Sequence, residues 1–374
     1  MVVISHARDI TLIEYDRVEQ KALWVKGLYS ITGLGREAVV IFFVISGFLV
    51  GGVTLERWRA RGVDLRAYAV ARVSRIYVVL VPALLMGILL DSIGMHWFNA
   101  SELYTNSAQY MTTSLQYQIS AGMDLRTFAS NLFMLEGIYT EHLGSNAPLW
   151  SLAYEWWYYC LFALIGAALT GSGKKRLWFA IAAVVVAAWL PTSVTFPGLV
   201  WLLGIGGYAW STSRLWRPPL AVGLGAFFAA LVVSRVSHNM FHLSSHLLTD
   251  VLLGVAFVFV LAGADRVRVP LPRLQQALAD FSYTTYLFHF PAIVFTFAIG
   301  YQVFGLRFHM QPGARGLLVF FGSVAVVYAY CLGASLLAER NTAKVRKTLD
   351  SWTRRIAGSR EREALGVASL DKTS

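Results

Sequence analysis

Charge is the first thing this chain is short of. Only 14% of its 374 residues are Asp, Glu, Lys or Arg, against roughly 25% in an average soluble domain. With 56% hydrophobic residues and a mean hydropathy of +0.55, that shortage excludes an ordinary soluble globule and points to an integral membrane protein. Cysteine is scarce as well. Cys160 and Cys331 are the two present, and both lie in apolar runs, which excludes a disulfide framework and a thiolate metal site. No basic stretch leads into an apolar run with a small-residue cleavage site, so no secretory signal is read at the N-terminus. Repeats, coiled-coil heptads and low-complexity tracts are also missing.

What the chain has instead is a series of long apolar runs. They cover Ala38–Leu55, Ile76–Leu90, Pro148–Thr170, Leu177–Leu190, Pro197–Trp210, Leu220–Val233, Leu247–Ala264, Tyr283–Tyr301 and Gly316–Leu337. The pieces beside Pro191 and Pro197 are short and read as tilted or incomplete spans. The opening MVVISH is too short to cross a bilayer, which takes about 20 residues. It reads as the last turns of a first span whose beginning is missing. The expectation is an all-α polytopic transmembrane helix bundle of about ten spans, the first truncated. Residues 1–340 form the membrane domain and 341–374 a basic tail, read as a frayed helix. Between the spans, 7–36 and 91–147 read as polar loops, the second carrying the aromatics Trp97, Phe98, Tyr104, Tyr110 and Tyr117.

The net charge of +11 raises nucleic acid or anionic lipid as a partner. Where the cations lie decides between them. Alternating sides from His6, taken as the outer end of the first span, puts 23 Lys and Arg on one side and 9 on the other, which accounts for all 32. That bias fits the positive-inside rule with both termini cytoplasmic. No nucleic-acid partner is needed to explain it, and anionic membrane lipid remains a partner for the tail.

Glu155, about two turns into the run from Pro148, is the sharpest feature. A charged side chain near a bilayer centre costs about 3 kcal/mol on insertion scales, and no cation lies within four residues of it in sequence. Its partner comes from another helix, or it is protonated, or it faces a wet cavity; an interfacial acid is the bland alternative. His6, near the outer end of a span, is suited to general-base work or is an interfacial ring. Arg72 and Arg75 share a helix face at the mouth of a span. They read as a phosphate clamp or as positive-inside anchors. Ser46 stands in Val44-Ile45-Ser46-Gly47 rather than a G-x-S-x-G elbow and reads as a helix-packing serine. His289 is a core histidine or part of a polar path. His238, His242 and His246 recur every four residues, the one weak hint of zinc; otherwise no metal site is expected.

Four stretches together resemble the membrane acyltransferase-3 family, which includes O-acetylases of bacterial surface polysaccharides. They are Gly35-Arg36-Glu37-Ala38 followed by Phe42-Phe43-Val44-Ile45-Ser46-Gly47-Phe48-Leu49, then Arg72-Val73-Ser74-Arg75-Ile76-Tyr77, then Pro148-Leu149-Trp150-Ser151-Leu152-Ala153-Tyr154-Glu155, and last Ser282 through Pro291. Their order and separations cover nearly the whole chain. His6 matches the family's catalytic histidine by position and flanks. The family's arginine eleven residues before that histidine falls before Met1, which implies an upstream start.

The resemblance implies an O-acyltransferase that moves an acyl group, acetyl in the simplest case, from cytoplasmic acyl-CoA to a hydroxyl of a cell-surface or exported glycan. Its setting would be a bacterial inner membrane. In that reading His6 deprotonates the acceptor, Glu155 orients the imidazole, and Arg72 and Arg75 bind coenzyme A phosphates. The aromatics of 91–147 cradle sugar rings or form an interfacial belt. Two rival readings are a transporter or flippase using Glu155, His289 and His6 as a polar path, and an inactive truncated copy.

Overall fold

The computed structural model describes residues 1–110, 112–241, 246–264, 275–276, 279 and 281–370, with the side chains of 238–241 and 357–370 outside the description. The described elements are helical throughout. Among them seven helices are long and apolar enough to cross a membrane, or eight if one bent pair counts as a single span. The fold class expected from sequence holds, and its span count of about ten was generous.

A short first helix, α1 (Val2–Thr11), leads through α2 (Leu23–Thr32) to α3 (Gly35–Ser46). The helix α2 sits inside the stretch expected to be plain loop. After α3 the chain runs on through a π-helical segment, Gly47–Gly52, into α4 (Val53–Arg61). Glycine explains the wider coil. A methyl group at Gly47 would sit 1.9 Å from the carbonyl oxygen of Trp201, and one at Gly204 would sit 2.2 Å from that of Val44. Backbone meets backbone here, so only glycine fits on either side.

The next helix, α5 (Leu65–Trp97), is 33 residues long, twice the apolar run that marked it. Asp64 caps it by accepting from the Ala67 amide at 2.8 Å, satisfying one of the orphan donors of the first turn. Its first two turns, polar in sequence, therefore extend the helix beyond the apolar stretch. A long connection with α6 (Leu125–Leu132) follows, then α7 (Trp150–Thr170), α8 (Gly173–Trp189) and α9 (Thr192–Ser211). The last two meet at 119° across Pro191, which supplies no amide to continue the ladder. The chain ends with α10 (Leu220–Phe241), α11 (Leu247–Ala264), α12 (Ser282–Phe304), α13 (Ala314–Leu337) and α14 (Thr342–Leu370).

Two polar ends frame the bundle. The arginine-rich end carries the N-terminus of α5, where α14 packs along it, with Arg66 bonded to Asp350 at 2.6 Å and to Thr353 at 3.0 Å. The segment expected to be a frayed tail is thus anchored at its start. The loop end carries residues 98–146. Short turns there are tied to the helices beneath, as where Asp91 accepts from the amide and hydroxyl of Ser145 at 2.7 and 2.8 Å. Tyr104, one of the aromatics expected to face sugars or headgroups, is fully buried, whereas Trp97 is exposed.

Candidate active site

His6 lies one and a half turns into α1, which packs against α3, α12 and α13. A backbone bond from Met310 to Thr11 (2.8 Å) holds the far end of α1 to the connection after α12. The His6 ring stacks on His289 with centroids 5.4 Å apart and meets Phe290 edge-on at 4.8 Å. Its Nδ1 lies 2.8 Å from the hydroxyl of Ser114, in the loop that folds over α1. That loop is held in turn by Asp9, a buried carboxylate one turn along α1, which accepts from the Ser114 amide at 2.8 Å.

His289 is more constrained. Its Nδ1 faces the carbonyls of Tyr286 at 2.8 Å and Thr285 at 3.2 Å. A carbonyl can only accept, so the proton is on Nδ1 and the Nε2 lone pair is free. Nε2 is buried without a partner among the described residues. A second orphan lies nearby: Nδ2 of Asn146, a buried side chain that reaches the space between Gly87 and Pro291. Uncompensated buried polar atoms cost about 1–3 kcal/mol each, and such sites mark places where a ligand or water completes the set.

Glu155 is buried too, yet it is bonded to neither imidazole. Tyr159, one turn on, donates to it at 2.5 Å. Ser46 stands 3.0 Å from that Tyr159 hydroxyl, and the Trp201 indole donates to Ser46 at 3.0 Å. Each donor in turn points toward the carboxylate, so Ser46 packs helices, as its flanks imply, and also relays polarity to Glu155. Arg72 lies over the rings of Tyr159 and Tyr68, at 5.5 and 5.9 Å. The acid is therefore linked to the arginine layer. Ser151 and Tyr286, bonded at 2.5 Å, mark the level between it and the histidines. Glu155 is one turn from Ser151 toward the arginines, and His289 nearly a turn from Tyr286 the other way. At about 1.5 Å per residue the two are offset by roughly 10 Å.

Arg72 and Arg75 part company in the structure. Arg75 lies against the Tyr283 ring at 4.7 Å, bonds Glu339 at 2.8 Å, and lines a cavity of about 950 Å³ at the arginine-rich end. Arg72 faces inward, with Nε buried and unpaired among the described residues, as is the Tyr283 hydroxyl. Of the histidine repeat, the side chain of His238 and the whole of His242 lie outside the described residues. Among the described residues no His, Cys, Asp and Glu group could hold a metal ion.

The sequence reading missed Ser114, Asp9 and Asn146. Ser114 and Asn146 sit in loop with no periodic signal, and their roles come only from the chain folding back over α1 and α12. The polar sequence around Asp9 had been assigned to solvent.

The bundle thus sets two stacked imidazoles, His289 buried and His6 half-buried, under a loop at one end and an arginine-lined cavity at the other. The chain belongs to the acyltransferase-3 family: the model of that family's acyltransferase domain matches residues 1–332. It is also similar to an uncharacterized protein of Haemophilus influenzae, at 31% identity over 130 residues, or 33% of this chain. The match spans 46%, about half, of that protein's length. No solved structure matches.

Proposed function

We propose that the protein is an integral membrane O-acyltransferase. It moves an acyl group, acetyl in the simplest case, from cytoplasmic acyl-CoA to a hydroxyl of a cell-surface or exported glycan. The observation that carries this reading is the pair of unlike openings on one bundle. A buried His289 and a half-buried His6 sit beneath the loop end, and the cation-lined cavity lies at the other, with Arg75, stacked on Tyr283, in its wall. The arginine-rich end is cytoplasmic by its excess of cations, which puts α14 on the cytoplasmic side of a bacterial inner membrane.

In this reading the acceptor hydroxyl approaches from the loop side. With Nδ1–H donating to Ser114, His6 keeps its Nε2 lone pair and takes the hydroxyl proton. The oxygen attacks the thioester carbonyl, the carbon–sulfur bond breaks, and the thiolate leaves with the proton returned by the imidazolium. His289, whose free Nε2 lies in the same stack, is a second acceptor for that proton. Arg75 holds donor phosphate at the cavity, and Arg72 lies deeper along the donor's path. Glu155 acts as a positioning residue, fixing Tyr159 and Arg72, rather than as the direct orienter of His6.

The test is acyl transfer in proteoliposomes carrying wild type, His6→Ala or Arg75→Ala, read as thiol release and as glycan mass. The expected results are loss of transfer for His6→Ala at unchanged protein level, and a raised KM for acyl-CoA for Arg75→Ala. Transfer that survives His6→Ala overturns the assignment of the base. Substrate movement without thiol release returns the protein to the transporters.

A further inference from the structure

The cavity at the arginine-rich end is only partly built by the matched domain. Its walls come from α5, the residues just before α12, the end of α13, the short link after it and nearly four turns of α14, and the family match stops at residue 332. At about 950 Å³ it is at the upper end of the roughly 300–1,000 Å³ usual for small-molecule sites.

Its charges divide into two groups. Arg75 is engaged by Glu339, which itself accepts from the amide and hydroxyl of Thr284 at 3.1 and 2.9 Å. Arg354 is engaged by Asp350, which Arg66 also holds. Three further cations line the cavity, Arg340, Arg346 and Lys347, and none has an acidic partner among the described residues. All three come from the segment beyond the matched domain. The first helical residues of α14, Thr342 and Ala343, line the same space, so the positive end of the helix dipole adds to them. The Thr342 hydroxyl is buried there without a partner among the described residues.

We infer that α14 supplies the anion-binding half of the donor site, and that Arg346 and Lys347 select for a terminal ribose phosphate on the acyl-CoA nucleotide. This rests on the acyl-CoA reading above. Coenzyme A carries a diphosphate and a separate phosphate on its ribose. Arg75, in the cavity wall formed by α5 and stacked on Tyr283, serves the part of the donor nearest the bundle. The free cations on α14, farther out, meet the part that dephospho-CoA lacks. An anionic lipid headgroup presents the same phosphate chemistry, so the experiment separates the two sources.

The full chain is placed in nanodiscs of phosphatidylcholine alone, and binding of CoA and of dephospho-CoA is measured by calorimetry. Wild type should bind CoA about tenfold or more tightly than dephospho-CoA, the factor expected for loss of a charge-assisted contact of about 1.5–3 kcal/mol. Arg346→Ala/Lys347→Ala should bring that ratio close to one. The charge-matched control Lys344→Ala/Arg355→Ala removes two exposed cations that do not line the cavity, and it should keep the ratio. Unfolding midpoints serve as the folding check for all three proteins. If wild type binds CoA but the ratio survives Arg346→Ala/Lys347→Ala, or falls equally in the control, the inference is wrong while the donor reading stands. If wild type binds no CoA, the donor reading itself fails. If selectivity appears only when phosphatidylglycerol is absent, and phosphatidylglycerol at constant CoA displaces the nucleotide from wild type but not from Arg346→Ala/Lys347→Ala, the cations bind lipid and the inference is overturned.

Discussion

Replacing Ser114 with alanine tests the chemistry most directly, because it removes one hydroxyl and little else. The Ser114 amide still bonds Asp9 at 2.8 Å, so the loop stays seated on α1. What disappears is the 2.8 Å contact to Nδ1 of His6. A hydrogen bond between neutral groups contributes about 1 kcal/mol, and one to a charged group about 1.5–3 kcal/mol. If His6 becomes imidazolium as the acceptor proton arrives, the larger figure applies only in the transition state. The difference between transition state and ground state is then about 0.5–2 kcal/mol, and at 1.36 kcal/mol per decade kcat should fall roughly 2- to 30-fold with the KM for acyl-CoA little changed. Ser114→Thr retains a hydroxyl at the same backbone position and should recover most of the rate. The assay is single-turnover acyl transfer in proteoliposomes, with protein level and unfolding midpoint checked for each variant. Wild-type kcat in Ser114→Ala would refute the tautomer argument. So would Ser114→Thr as slow as alanine, since the loss would then be steric.

Two other outcomes follow from the packing and from the loop. Gly47→Ala places a carbon 1.9 Å from the Trp201 carbonyl, where no rotamer change relieves it; overpacking usually costs about 1–3 kcal/mol, and this backbone clash belongs at or above the top of that range. Thermal unfolding in detergent should show the drop, while Gly206→Ala, with nothing within 4 Å, should show none. Burial pushes Glu136 up from 4.5 to about 7, even with the His142 ring 3.0 Å away. The folded chain then holds a proton that the unfolded chain has released. Its contribution is full below the unfolded value and is lost as pH rises from about 4.5 to 7, up to about 3 kcal/mol in all. Protease resistance of 98–146 should therefore fall across that window and flatten in Glu136→Gln. An unchanged slope in the variant would assign the effect elsewhere.

Much of the fold was legible in the sequence, and the reason is specific to lipid. A bilayer leaves no water to satisfy the backbone, so an apolar run must be a helix, and runs such as Tyr283–Tyr301 mark their helices closely. Where helices extend past the apolar slab, hydropathy is blind. Asp64 caps α5, which begins eleven residues before Ile76, a boundary that hydropathy does not show, and nothing periodic marks α14 as docking beside it. The site was legible by residue but not by arrangement. Glu155 stands out by its isolation; it is buried, and its partners begin with Tyr159, one turn on in the same helix rather than on another. That those partners are Tyr159 and the arginine layer rather than His6 depends on helix rotation and depth, which a linear pattern does not carry. Ser114 and Asn146 carried no signal at all, because loop residues gain meaning only from what they are folded against.

The glycine contact between the π segment and α9 has a mechanical consequence. Flexible side chains between helices act as a cushion, absorbing small displacements by changing rotamer. Between Gly47 and Trp201 there is no cushion, only peptide against peptide. Any tilt of the bent α8–α9 pair is passed undamped into the turn that bears Ser46, and from there through one hydroxyl to Tyr159 and Glu155.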